Sequence, residues 1–263
     1  LGKAIVSAID YAAKHYIKYR KLADGTQAAY YVDTTSNEIK LGSLGVSLLA
    51  FVKHSELMHT KKYLQLMNDL ATGIISMQNP DGSFVHVLNP EDFSVKEPFR
   101  IVYYDGEAVF GMLRLYSITK DERLLKASEL AFKRFINTDH WQNHDHWLSY
   151  AINELTTYKP EEKYFEFGIN NFMDFLPFIY HRDTQFPTLL ELMMAADTML
   201  ERMKNMPEMS KLLARVNLND FYDKDNSIIE TNISRNNFIQ IKNGFCIVLW
   251  FCLKETNEDD KNK

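Results

Sequence analysis

A short phrase in this chain recurs at a fixed interval. The turn Gln78-Asn79-Pro80-Asp81-Gly82-Ser83-Phe84 leads through a loop to Tyr103-Tyr104-Asp105-Gly106-Glu107-Ala108, and two helix-periodic stretches with a tight joint between them follow. An earlier copy of the plan runs from Asp24-Gly25 through Tyr30-Tyr31 to Gly42 and Gly45. An offset of 61 residues sets Gly45 on Gly106, Leu48 on Val109, Phe51 on Met112, Lys53 on Arg114, Lys62 on Arg123 and Ile75 on Ile136. A further offset of 40 carries Arg123-Leu124-Leu125 onto Lys163-Tyr164-Phe165. Any two amphipathic helices agree at many apolar positions, but here the turns and glycines agree as well. Self-similarity at such a period marks stacked units that bury their apolar faces only against one another.

Apolar residues at helical spacing predict helices at about 3–21, 42–56, 60–77, 105–118, 121–137, 144–157, 161–179, 186–204, 207–217 and 238–254. Asp121 is a predicted N-cap, and Pro160 before Glu161-Glu162 opens another helix. Joints this short make neighbouring helices antiparallel. Only Ala28 to Val32 and Phe84 to Leu88 look extended, each after an Asp-Gly turn, and we expect short hairpins or extended loops there without a real sheet. The connections alternate: tight within hairpins, but long and aromatic between the first hairpins, at 22–41 and 78–104. That asymmetry gathers the long loops on one face and favours a closed α/α toroid over an open solenoid, with the loops around the mouth of a central cavity. The expected fold is all-α, with five to six hairpins or an incomplete set. A single domain over 1–254 and a charged tail over 255–263 are expected.

Composition narrows the partners. A net charge of −5 leaves no basic footprint for nucleic acid. The longest apolar run, Phe245 to Leu253, falls short of the roughly 20 residues of a membrane helix. Cys246 and Cys252 lie on that run and are expected to be core thiols, which excludes a disulfide scaffold. No secretory leader is apparent, so a cytoplasmic protein is expected, with periplasmic or secreted locations left open. The chain does not begin with Met, so a processed start or a piece of a longer protein is equally open.

Two motifs carry a resemblance. The turn 78–84 resembles the Gln–Asp–Gly–Ser–aromatic turn of α/α toroids such as the terpene cyclases. The run Tyr104-Asp105-Gly106-Glu107-Ala108 through Leu113, Leu115-Tyr116, Thr119, Asp121, Arg123-Leu124-Leu125 and Ala127 resembles the hairpin phrase of the six-hairpin glycosidase-like proteins. That superfamily includes unsaturated glucuronyl hydrolases, sugar 2-epimerases, polysaccharide lyases and the helical domain of uronyl epimerases. The resemblance is clearest over about 24–180 and implies a toroid. The Cys and Cys-His-Gly zinc ligands of lanthionine cyclases and the Asp-rich motif of terpene cyclases are both absent from this sequence.

Chemistry in a toroid would sit where loops meet inner helices. Asp105 and Glu107 could act as acid and base, with Tyr103 and Tyr104 stacking on a sugar; glycosidic chemistry needs two carboxyls at a defined separation. The alternative makes Asp105 an N-cap and Glu107 a first-turn acid favoured by the helix dipole. His140-Trp141-Gln142-Asn143-His144-Asp145-His146-Trp147 packs three histidines and an acid together. His144 and Asp145 are the catalytic candidates and Trp147 a binding one, with capping and packing as the alternative. His144 and His146 are two apart and face different sides of a helix, so no metal site is expected. Arg100, in the long aromatic loop, and Arg182, before a predicted helix start, could hold a carboxylate or oxyanion; surface pairing and capping are the alternatives.

These features imply a protein acting on or binding a glycan or a uronic-acid-containing saccharide, as a hydrolase, lyase or epimerase, with no cofactor. The competing reading is a non-catalytic helical accessory or binding domain of a larger biosynthetic protein.

Overall fold

The computed structural model describes residues 2–180, 187–219 and 221. Its helices alternate between two kinds. Helices α2 (Leu41–Leu57), α4 (Tyr103–Thr119) and α6 (His146–Tyr158) are buried around most of their circumference; α4 buries Asp105, Gly106, the run Ala108 to Leu113, Leu115 and Tyr116. Helix α5 (Glu122–Asn137) buries only a stripe, Leu124, Leu125, Ala127, Ser128, Ala131, Phe132 and Phe135, which is the pattern of a helix with one wet face. Helices α3 (Leu64–Ser76) and α7 (Glu162–Met173) complete the hairpins. After α8 (Leu176–Tyr180), α9 (Pro187–Lys204) packs on α6, and the short α10 (Ser210–Leu213) packs back on α9. Thus α2, α4, α6 and α9 form a continuous inner layer, and α3, α5 and α7 lie outside it.

The repeat offset has a structural meaning. A methyl on Gly45 would lie 2.5 Å from the backbone carbonyl carbon of Glu107, so α2 and α4 touch backbone to backbone. A methyl on its counterpart Gly106 would lie 2.7 Å from Trp147 Cβ and 3.1 Å from the Leu148 nitrogen, so α4 and α6 touch in the same way. The turn at 78–84 locks hairpin to hairpin. Gly82 has φ +92° and lies against the Leu130 carbonyl, while Gln78 Nε2 donates to the Ala127 carbonyl at 3.0 Å. Asp121 caps α5, accepting from the Arg123 N–H at 3.0 Å.

The sheet departs from expectation. Strands β1 (Ile17–Lys21), β2 (Gln27–Asp33), β3 (Glu38–Lys40), β4 (Val87–Leu88) and β5 (Val95–Glu97) form one five-stranded antiparallel sheet in that order. The helix expected over 3–21 therefore ends at His15 in α1 (Gly2–His15), because Ile17 to Lys21 pair with β2 instead. Four further boundaries move. The helix expected over 60–77 starts at Leu64. The helix expected over 161–179 breaks between α7 and α8, the one over 144–157 starts at His146, and 207–217 holds only a 3-10 turn and α10. The expected helix 238–254 with Cys246 and Cys252, the tail 255–263 and Arg182 lie outside the described residues. Among the described residues no helix is long and apolar enough to cross a membrane.

Candidate functional site

The long connections, including the sheet, all lead into the N-terminal ends of inner helices. Acidic side chains collect at those ends. Glu107 and Glu191 are each the fifth residue of their helix, α4 and α9, and Asp145 is the N-cap of α6. The glycine notches that bring the helices together also receive these carboxyls. Glu107 Oε2 and the Tyr104 ring occupy the space a methyl on Gly42 would fill, and Asp145 Oδ2 occupies that beside Gly106. Both oxygens are sealed from water and accept no hydrogen bond.

Burial without a partner disfavours charge. It pushes the Glu107 carboxyl up to about 7. Asp145 is raised well above the carboxylate range, first by burial and then by the charges of Glu107 and Asp105, despite accepting the Trp147 N–H at 2.9 Å. His146 Nε2 lies 3.4 Å from Glu191 Oε2, and its Nδ1 lies 3.8 Å from Asp145 Oδ1. Burial pushes Glu191 up to about 7 and His146 down to about 4, so it favours the neutral form of each partner. The Tyr103 ring meets the His146 ring edge-on at 5.4 Å between centroids, which links the α4 and α6 ends. Under the loop, His86 Nε2 lies 3.2 Å from Asp105 Oδ1, both side chains buried.

The sequence candidates divide accordingly. Tyr103, Tyr104, Asp105, Glu107 and Asp145 come together, and Trp147 lies beside them against Phe110 and Tyr150. Asp105 is not an N-cap: Val102 holds that position, and the Asp105 carboxyl meets His86 instead. Glu107 is not a solvated first-turn acid, since it lies against Gly42 of the neighbouring helix. His144 points elsewhere. It sits at φ +50°, bonds the Asn171 carbonyl through Nδ1 at 2.9 Å and stacks on Phe175 at 4.1 Å. Arg100 is committed to protein carboxylates: it forks onto Glu38 at 2.6 and 2.9 Å and onto Glu97 at 2.6 and 2.5 Å, tying β3 to the end of β5. Two surface clefts, about 410 Å³ along α5 and α7 and about 420 Å³ beside β2 and α3, include none of these residues.

Solved structures share this arrangement of hairpins. A family 76 glycoside hydrolase from a bovine Bacteroides thetaiotaomicron strain superposes with a TM-score of 0.54 at 16% identity, over 75% of this chain and 50% of that one. A D-mannose isomerase superposes with a TM-score of 0.60 at 12% identity, over 89% of this chain and 71% of that one. The chain has the α/α-toroid fold of stacked helical hairpins. It spans half the length of the glycoside hydrolase. No protein-family model and no curated protein sequence matches it.

Glu107, His146 and Glu191 all lie in the first or second turn of an inner helix, α4, α6 and α9 respectively. His146, Glu191 and His86 are the residues that sequence reasoning passed over. Glu191 had one usable signal: a lone acid inside the apolar run Leu189-Leu190-Glu191-Leu192-Met193 on an inner helix. His86, between Val85 and Val87, was unremarkable as a sequence.

Proposed function

We propose that the N-terminal ends of the inner helices bind a saccharide and perform acid–base chemistry on it. The observation that carries this reading is a pair of carboxyls, Glu107 and Glu191, held near neutrality by burial on two inner helices, with the neutral His146 against one of them. An acid or base works best when its pKa lies near the working pH, and carboxyls kept at the cost of such burial mark a functional candidate. Glu191 with His146 is the proton-carrying pair. Glu107 is the second acid or base, and Tyr103, Tyr104 and Trp147 are faces on which a pyranose can stack. Asp145, fully enclosed, keeps the α6 end in place and does not touch substrate. The likeness in fold to a glycoside hydrolase and a D-mannose isomerase supports a saccharide as substrate by analogy.

Two chemistries use this equipment: proton transfer between sugar carbons, as in isomerisation or epimerisation, and protonation of a glycosidic oxygen. One experiment separates them. The protein is incubated in D2O with D-mannose, other free hexoses and a panel of neutral and uronic-acid oligosaccharides. Deuterium entering a sugar C–H marks the first chemistry and new reducing ends mark the second. Either outcome, abolished by Glu191→Gln, supports the proposal. Absence of turnover and of binding across the panel overturns it.

A further inference from the structure

His86 joins three segments that form this end of the fold. Its main-chain N–H donates to the Pro98 carbonyl at 3.1 Å, and its carbonyl accepts from the N–H of Leu41, the first residue of α2, at 2.9 Å. Its ring is 1% exposed and lies between the rings of Phe99, at 4.6 Å, and Tyr104, at 5.5 Å. The ring nitrogens have separate partners. Nδ1 faces the backbone N–H groups of Arg100 at 3.0 Å and Ile101 at 3.4 Å, while Nε2 faces Asp105 Oδ1 at 3.2 Å. Two backbone donors aimed at Nδ1 require a lone pair there, so the proton resides on Nε2 and is donated to Asp105.

We propose that His86, as the neutral Nε2–H tautomer, is the positioning residue of this site: one nitrogen holds the loop 98–101 and the other holds the Asp105 carboxyl at the start of α4. The loop so held carries Phe99 and Ile101, 61% and 39% exposed, beside the Tyr104 ring that shares the Gly42 notch with Glu107. His86 touches no substrate. It sets where the loop and the α4 carboxyls stand relative to one another. Only the consequence for catalysis rests on the proposed function; the positioning does not.

Two substitutions separate the two bonds. In His86→Asn an amide oxygen can replace Nδ1 as acceptor, but nothing reaches Asp105. In His86→Gln the amide N–H reaches the Nε2 position and Asp105, but the acceptor at Nδ1 is lost. NMR of the whole chain, without saccharide, reads the 15N tautomer of His86, the 13Cγ resonance of Asp105 and the amide exchange of Arg100 and Ile101. The wild type is expected to show Nε2 protonated and Nδ1 bare. His86→Asn should move the Asp105 resonance and leave loop exchange near the wild-type rate. His86→Gln should return the Asp105 resonance towards wild type and speed loop exchange about tenfold. Packing alone would move both signals together in both variants, and that result, or an Nδ1-protonated ring, overturns the proposal. Because no arm needs turnover, failure of the saccharide assay would count against the proposed function and leave this inference standing.

Discussion

Replacing Glu107 by Gln should make the protein more stable at pH 8 and leave it unchanged near pH 4. Glu107 ordinarily titrates near 4.5 and is pushed up to about 7 in the fold by burial. Between those values the folded chain holds a proton that the unfolded chain has released, so stability falls as pH rises through the window. Below 4.5 the carboxyl is neutral in both states and its charge costs nothing; above 7 the folded state carries a charge sealed beside Gly42. A displacement of about 2.5 pH units at roughly 1.4 kcal/mol each sets a ceiling of roughly 3.5 kcal/mol. Gln has the same shape and no charge, so the variant removes that penalty without opening a cavity in the notch. The assay is urea denaturation of both proteins at half-unit intervals from pH 4 to 8.5. The quantity read is the difference in unfolding free energy, so titrations of groups that Glu107 does not influence cancel, Asp145 being the neighbour whose titration shifts with it, and equal m-values show that the unfolded states match. The difference should be near zero at pH 4, grow from about pH 5 and level off above pH 7. A variant less stable than wild type at pH 8, or a difference that does not change with pH, refutes the reasoning.

Three other outcomes test the rest of the structure. Gly45→Ala should destabilise by about 1–3 kcal/mol, although alanine is favoured over glycine by about 1 kcal/mol in an isolated helix, because the new methyl meets the backbone of Glu107 and Ala108; Gly168→Ala, facing the movable thioether of Met199 at 2.5 Å, should be near neutral, and equal thermal shifts for the two would contradict the backbone contact. Arg114 bridges Glu56 of α2 and Glu154 of α6 across the inner layer, so Arg114→Met should cost about 1–3 kcal/mol by leaving the Glu154 carboxylate unpaired and Glu56 with Lys53 alone, and adding Glu154→Gln should recover most of the loss in a denaturation midpoint. On whichever saccharide the panel identifies, Glu191→Gln should lower kcat by about 10²–10⁴ with KM little changed; a kcat within threefold of wild type would remove Glu191 from the proton-carrying pair.

The legible parts of this fold are those whose cause is local. Asp121 caps a helix because its side chain reaches an N–H two residues on, and Gly82 turns because it alone accepts positive φ cheaply. The agreement of Gly45 with Gly106 could be read at the level of pattern, since each glycine admits the next inner helix. The sheet was not legible. Strands β3, β4 and β5 are only three, two and three residues long, and they hold together through pairings between residues far apart in the chain. The same cause separates His144 from His146. Both lie at a helix entrance, but His144, in the left-handed region, turns to Asn171 and Phe175, while His146 turns inward to Glu191.

By itself the sequence determined the stacked hairpins and the end at which their loops gather, and it marked the α4 entrance, Tyr103 to Glu107, as the candidate site. Those follow from periodicity, turn residues and joint lengths, which act over a few residues. Tertiary structure alone decided which charged groups gather at the candidate site and in what state. Arg100 is held by Glu38, 62 residues away, and Asp105 by His86. Glu107 and Glu191 stand near neutrality because neighbouring helices exclude water from them. Whether a carboxyl is charged depends on the water and partners around it, and those come from distant parts of the chain that only folding brings together.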